Sequence, residues 1–217
     1  MKRTVYRVNE IFYSLQGEGH NTGRAAIFIR FAGCNLRCPF CDTDFRDYQE
    51  MEASGILAAI ADYPSRFVVL TGGEPTLQVD EGFVNLLHTR GYEVAMESNG
   101  ILPAPHNLDW LTVSPKKSLP MPPEGKAPDE IKIVFENEAS LNQLIADYPI
   151  SFSRPVDSKR PSTEREGDKW SPFFYLQPCD TGDPERNKQI LHDCIKYVEA
   201  HPQWRLSVQI HKLIDIK

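Results

Sequence analysis

Short apolar runs, several of them β-branched or aromatic, recur at 6–13, 25–31, 67–70, 93–96, 111–113, 131–135, 173–176 and 205–210, and each predicts a strand. Between them the spacing turns helical at 52–62, 81–90, 139–146 and 184–200. Strand and helix alternate, which predicts a parallel sheet with crossover helices. The helices are too few and too unevenly placed for a closed eightfold barrel, so the expected fold class is α/β, an incomplete TIM-type β/α barrel.

Two stretches break the alternation. Seven of the 17 prolines lie between positions 103 and 128, so an insertion at about 117–129, with the run Leu119-Pro120-Met121-Pro122-Pro123, is expected to be an extended surface loop. A second insertion at about 154–170 is almost wholly polar and reads as an excursion from the core. Neither resembles a linker, and no internal repeat is present, so residues 1–217 are expected to form a single domain.

Composition sharpens the class of function. The chain has 217 residues, is 41% hydrophobic and 25% charged, and carries a formal charge of -6, as expected for one globular domain with a sizeable core. A mildly acidic chain with scattered Lys and Arg has no electrostatic footprint for nucleic acid. No apolar run has the length of a membrane span, and the opening Met1-Lys2-Arg3-Thr4 lacks the apolar core of a signal peptide. A cytoplasmic protein acting on a small molecule is the expectation.

Three of the five cysteines fall in Gly33-Cys34-Asn35-Leu36-Arg37-Cys38-Pro39-Phe40-Cys41-Asp42-Thr43, directly after the strand at 25–31. An odd count with three thiols so close is poor disulfide arithmetic and points to metal or redox chemistry. The loop lies where a parallel sheet places its ligands, at a strand's C-terminal end. The spacing suits three ligands of one polynuclear iron-sulfur centre, leaving one iron open. A zinc site completed by Asp42 or a histidine, and three unrelated cysteines, are the alternatives. Cys194, inside the 184–200 helix, reads as a buried small hydrophobe.

Further polar residues follow the ends of later strands. Thr71-Gly72-Gly73-Glu74-Pro75 closes the strand at 67–70, and its Gly73 stands 32 residues after Cys41, the spacing of one crossover unit. Glu97-Ser98-Asn99-Gly100, Ser114-Pro115-Lys116 and Gln177-Pro178-Cys179-Asp180 hold equivalent places. Singly each reads as a turn or a cap; together they predict a shared rim of hydroxyl, amide and ammonium groups.

Cys-x3-Cys-x2-Cys with Phe40 before the last cysteine resembles the signature of the radical S-adenosylmethionine superfamily. The resemblance implies a 4Fe-4S cluster on Cys34, Cys38 and Cys41, whose open iron chelates S-adenosylmethionine. It also implies one-electron cleavage of that cofactor to a deoxyadenosyl radical that takes hydrogen from substrate. By the same resemblance Phe40, Asp42, Gly72, Gly73, Glu74, Ser98, Asn99, Ser114, Pro115, Lys116, Gln177, Pro178, Cys179 and Asp180 contact S-adenosylmethionine.

Leu15-Gln16-Gly17-Glu18-Gly19, Arg30, Cys-Asp-Thr, Thr-Gly-Gly-Glu-Pro, Glu-Ser-Asn-Gly, Ser-Pro-Lys, Gln-Pro and the tail Gln209-Ile210-His211-Lys212 resemble, more narrowly, the 7-carboxy-7-deazaguanine synthase family. That family contracts the ring of 6-carboxy-5,6,7,8-tetrahydropterin with loss of ammonia, in queuosine synthesis, and regenerates its cofactor each turnover. The resemblance implies substrate contacts at Leu15, Gln16, Gly17, Glu18, Arg30, Thr71, His211 and the terminal carboxylate of Lys217, and Mg2+ on Thr43. Chemically, Arg30 suits the substrate carboxylate and Glu18 the ring N–H donors. A homodimer and a one-electron donor such as flavodoxin are also implied. Two rivals keep part of this picture: an activase of the same superfamily that acts on a glycyl-radical enzyme, and a zinc-stabilised binding module.

Overall fold

Side chains two apart share a face of a strand, and this alternation sorts the sheet into two surfaces. The computed structural model describes residues 5–41, 44, 47–116, 124–147 and 172–217. Asp42, Thr43, the insertion at 154–170 and positions 117–123 of the Pro-rich insertion lie outside the described residues.

The strands are β1 (Val5–Leu15), β2 (Ala25–Phe31), β3 (Gln49–Glu52), β4 (Phe67–Gly72), β5 (Glu93–Ser98), β6 (Trp110–Val113), β7 (Glu130–Phe135), β8 (Phe173–Pro178) and β9 (Arg205–Leu206). They form one nine-stranded sheet in the order β3-β1-β2-β4-β5-β6-β7-β8-β9. From β2 to β9 every neighbouring pair is parallel, whereas β1 runs antiparallel to both β2 and β3. The helices are α1 (Ala53–Ile60), α2 (Glu81–His88), α3 (Glu138–Asp147), α4 (Pro184–Ala200) and the short α5 (Ile210–Leu213). The open sheet with crossover helices is a partial TIM-type β/α barrel.

One face of the sheet is the apolar core. Ile27, Ile29 and Phe31 of β2, Val68 and Leu70 of β4, and Val94 and Met96 of β5 pack with Ile56 and Ile60 of α1 and Phe83, Val84 and Leu87 of α2. Ile131, Ile133 and Phe135 of β7 pack likewise with Leu141 of α3 and Ile190 and Cys194 of α4. Burying a side chain such as Phe31 or Leu70 contributes roughly 1.5–3 kcal/mol, and these surfaces hold the helices on the sheet. Burial pushes the Cys194 thiol up to about 12, which makes it an inert core residue.

The helix starts are set by side chains. Asp80 accepts from the Phe83 amide at 2.9 Å at the start of α2. At α4, Asp183 accepts from the amides of Glu185 and Arg186, with Pro184 in the first turn.

The other face is the barrel interior. Phe12, Ala26, Phe28, Phe67, Val69 and Ala95 form a small apolar plug there, with Phe12 and Phe28 stacked at 4.8 Å. Trp110 packs on this plug and Val134 lines the interior cavity, beside the polar Arg30, Thr71, Glu97 and Lys132.

Three local expectations differ from the structure. The strand expected at 205–210 pairs only at Arg205–Leu206, because from Ile210 the chain turns into α5 and crosses back toward β1, the Ile210 amide donating to the Gly17 carbonyl at 3.0 Å. Residue 52, assigned to a helix start, ends β3 instead, which pairs with Val5–Val8 of β1 along a hydrophilic edge that carries no apolar run. The antiparallel β1 is not visible in an alternation rule that only counts strands and helices. Among the described residues no helix is long and apolar enough to cross a membrane.

Candidate active site

A cavity of about 450 Å³ opens at the C-terminal ends of the parallel strands, the usual place for chemistry in such barrels. Its lining joins the cysteine loop after β2 to the ends of β4, β5, β6 and β8, and to the chain's tail. All the expected substrate residues, Leu15, Gln16, Gly17, Glu18, Arg30, Thr71, His211 and Lys217, line it. Of the expected cofactor residues, Phe40, Gly72, Gly73, Ser98, Asn99, Ser114, Lys116, Gln177, Pro178, Cys179 and Asp180 line it too. Cys38 and Cys41 sit at its mouth; Cys34, Glu74 and Pro115 stand behind the lining.

The cysteine loop is bolted to the end of β4. The Gly73 amide donates to the Phe31 carbonyl at 3.0 Å and the Glu74 amide to the Gly33 carbonyl at 2.9 Å. Gly72 has φ 127°, and a Cβ there would strike the Phe31 backbone, while one on Gly73 would strike the Gly33 carbonyl. The glycine pair therefore admits the close approach of the cysteine loop itself.

Cys34, Cys38 and Cys41 are not joined in disulfides. Burial raises the pKa of Cys34, opposed by the Leu36 amide and reinforced by Glu74 and the neighbouring Cys38 and Cys41. Three thiols this close would repel as thiolates, so the loop suits a cationic metal centre that neutralises them. Among the described residues no three His, Cys, Asp or Glu side chains gather around a single ion's position. Ligands of a four-iron cluster bind separate irons and need no such convergence.

Glu74 is fully buried and clamps two strand ends. Oε1 accepts from Ser98 Oγ at 2.9 Å and from Thr76 Oγ1 at 2.6 Å, and Oε2 accepts from the Asn99 amide at 2.7 Å. Its carboxylate thus holds Ser98 and Asn99 at the rim, while Asn99 Nδ2 reaches Asn35 Oδ1 of the cysteine loop at 2.7 Å. Lys116 Nζ donates to Ser114 Oγ at 2.7 Å and lies 5.6 Å from the Phe40 ring centre. Burial, helped by the charge of Lys132, lowers the Lys116 pKa. A desolvated ammonium and the nearby hydroxyl and amide groups are suited to a carboxylate and ribose.

Below the rim lies a charged floor. Glu97 on β5, Thr112 on β6 and Glu130 on β7 are direct cross-strand neighbours. Lys132, two residues after Glu130 and therefore on the same face, pairs with Glu18 and approaches Glu97 at 3.7 Å. Burial works against the Glu18 carboxylate, but Lys132, Gln209 and His211 outweigh it and hold the group at about 2. Burial also disfavours the Lys132 ammonium, yet Glu18, Glu97 and Glu130 raise its pKa. Glu130 is pushed up to about 7 by burial, against the pull of Lys132 and the His20 amide. One ammonium thus faces three carboxyls, and of Glu18 and Glu130 it is Glu130 that takes a proton more readily.

Toward the antiparallel side, Glu10, Arg30 and Thr71 form a second cross-strand row. Arg30 Nε donates to Glu10 Oε1 at 2.9 Å, which orients the guanidinium along the cavity wall. Burial of Glu10 is outweighed by Lys217 and Arg30, which lower its pKa. The tail closes the gap the incomplete barrel leaves between its two edges. Lys217 pairs through Nζ with Glu10 and accepts at its carbonyl from Ser14 Oγ, and Lys212 pairs with Asp180 at 2.7 Å. Gly17 permits the crossing, since a Cβ there would strike the His211 ring.

Glu10, Glu97, Glu130, Lys132 and Gln209 of this arrangement were not among the expected site residues. Lys132 stood inside an apolar strand pattern. Its signal was alternation, because Glu130 and Lys132 interleave with Ile131, Ile133 and Phe135, which marks a strand with a polar inner face.

Residues 28–131, which hold the cysteine loop and the glycine turn, match the family model described as the Radical SAM superfamily. Fold and site together define a radical S-adenosylmethionine enzyme, whose cofactors are a 4Fe-4S cluster and S-adenosylmethionine. The chain is similar to the 7-carboxy-7-deazaguanine synthase of Bacteroides thetaiotaomicron, 40% identical over 97% of this chain and 98% of that protein. The same enzyme of Caulobacter vibrioides is 38% identical over 98% and 99%. It therefore belongs to the 7-carboxy-7-deazaguanine synthase family. In three dimensions it is similar to QueE from Escherichia coli, with a TM-score of 0.69, 28% identity and 94% of each chain covered.

Proposed function

We propose that the protein is a 7-carboxy-7-deazaguanine synthase, converting 6-carboxy-5,6,7,8-tetrahydropterin to 7-carboxy-7-deazaguanine with loss of ammonia, in the synthesis of queuosine and related 7-deazapurines. The observation that carries this reading is one cavity that joins Cys38 and Cys41 to Arg30 and Glu18. In an activase or a zinc-held module nothing would require a cation and an ionised carboxylate inside the barrel below the thiols.

When bound, the cluster and S-adenosylmethionine supply one-electron bond cleavage and abstraction of a hydrogen atom. The chain's own residues hold and orient. Cys34, Cys38 and Cys41 would carry the cluster. Gly72, Gly73 and Glu74, with Phe40 and Asp42, would seat the methionine end of the cofactor. Ser98, Asn99, Ser114, Pro115, Lys116, Gln177, Pro178, Cys179 and Asp180 would seat the rest. Arg30, steadied by Glu10, pairs with the pterin carboxylate. Glu18 accepts from the ring N–H donors, and Leu15, Gln16, Gly17, Thr71, His211 and Lys217 complete the pocket. Thr43 is the protein ligand for Mg2+, an ion that takes few protein oxygens and leaves room for those of substrate.

The remaining parts of the reading are a single domain over 1–217 that includes the two insertions, a cytoplasmic homodimer, and reduction by a one-electron donor such as flavodoxin. The test is anaerobic incubation of reconstituted enzyme with the pterin, S-adenosylmethionine, Mg2+ and reductant, followed by mass analysis. The expected product is 7-carboxy-7-deazaguanine, in reduced yield without Mg2+. Cofactor cleavage with the pterin left intact would overturn the assignment.

A further inference from the structure

We propose that Lys132 is a positioning residue that fixes Glu18 as the buried acceptor for an N–H of the pterin's amino-amidine edge, an inference that rests on the substrate reading above. Lys132 is 4% exposed and reaches Glu18 Oε2 from the middle of β7. Glu18 stands on the loop between β1 and β2, with no regular structure of its own to aim it. Its other oxygen, Oε1, accepts from Gln209 Nε2 at 2.9 Å and from Gln177 Nε2 at 3.2 Å. The Glu18 amide donates to Gln16 Oε1 at 3.2 Å, and Gln16 Nε2 donates to Glu97 Oε1 at 2.8 Å, so the loop is tied to β5 as well. An ionised carboxylate offers about four acceptor positions. Three are filled by Lys132, Gln177 and Gln209, which leaves about one for a ligand in the cavity that Glu18 lines.

The charge state of that last position is what Lys132 controls. The charged groups facing Glu18 are Lys132 and Glu130 from β7, Glu97 from β5, Lys116 after β6 and His211 from α5. Of the cations, Lys132 alone hydrogen-bonds to Glu18, and the two acids oppose its ionisation. A buried carboxyl that loses its cation and keeps two acidic neighbours takes a proton near neutral pH. It then presents an O–H where the pterin needs an acceptor. Lys132, which also borders the cavity, therefore acts through Glu18.

The experiment is equilibrium binding of 6-carboxy-5,6,7,8-tetrahydropterin to the cluster-reconstituted protein, by calorimetry with S-adenosylmethionine and Mg2+ but no reductant, from pH 5.5 to 8.5. Lys132→Met is expected to weaken binding relative to the parent by roughly tenfold or more at the acid end, with most of the loss recovered at the alkaline end as Glu18 ionises. In a Glu18→Gln background the same substitution should add less than about twofold, because its route is already gone. If Lys132→Met fails to fold, Lys132→Gln, which keeps a donor without the charge, should show the same pH dependence. A loss that is equal at every pH and additive with Glu18→Gln would overturn the role of Lys132 while leaving the Glu18 reading intact. Full affinity in Glu18→Gln alone would overturn both.

Discussion

The two ends of the cavity are built by different means. At the mouth, a contiguous loop of eight residues carries all three thiols and leaves Cys41 exposed, a chemistry suited to a metal centre added from outside. On the floor, Glu18, Glu97, Glu130 and Lys132 come from three separate places in the chain and balance one another. The mouth is a site made for an added group, and the floor is a site the protein completes for itself. Loss of a mouth residue should therefore abolish chemistry with little effect on the fold. Loss of a floor residue should change binding, stability and pH dependence together.

Replacing Cys34, Cys38 or Cys41 by Ala tests the mouth and should have the largest effect. Iron and sulfide content after anaerobic reconstitution should fall sharply, product should drop below detection, and the thermal midpoint of the metal-free protein should stay within a few degrees of the parent. Next in size, Arg30→Ala should lower kcat/KM for the pterin on the order of 100-fold, about 3 kcal/mol, while abortive cofactor cleavage persists. Equal loss of both activities would place Arg30 with the mouth and blur the division.

Glu130 tests the floor's charge balance. Its folded pKa, pushed up to about 7, lies above the ordinary carboxyl value of 4.5, so its favourable contribution is complete below about 4.5 and is lost as pH rises through 7. Glu130→Gln should therefore gain on the parent as pH rises, by up to about 3 kcal/mol at pH 8 relative to pH 4.5, measured by denaturant unfolding at each pH. Glu18 runs the opposite way. Held at about 2, it stabilises the fold above 4.5, and that contribution disappears on acidification toward 2. The smallest effect is expected at Lys217→Ala, because its ammonium is 63% exposed and its pair with Glu10 is a surface one, worth under about 1 kcal/mol in thermal unfolding.

The same contrast explains what could be read before the structure. Cys34, Cys38 and Cys41, and Gly72 with Gly73, lie in short contiguous strings whose chemistry survives outside its context, so their neighbourhood was legible. The strands at 25–31, 67–70 and 131–135 were legible as well, because β-branched runs with helices between them leave few alternatives. Lys132 and Glu97 were not read as site residues, since each is a single polar position on the inner face of a strand whose partners lie tens of residues away. Gly72 and Gly73, expected to contact S-adenosylmethionine, line the cavity, and the structure adds a second reason for glycine there: an added Cβ would strike Phe31 or Gly33 of the chain itself. The turn at Ile210 was read as strand because Val208 and Ile210 look apolar and alternate, and only the contact with Gly17 decides otherwise.

The strap from β9 to Lys217 also bears on how the molecule comes into being. Residues 14–19 complete their hydrogen bonds only once Ser207, Gln209, Ile210 and Lys217 are in place, so the first wall of the chamber waits for a stretch about 190 residues further along the chain. Contacts that span nearly the whole chain form slowly, and until they do the cysteine loop belongs to an unfinished vessel. Cluster loading is accordingly expected to follow that closure, and a variant lacking residues 207–217 should be recovered as apoprotein.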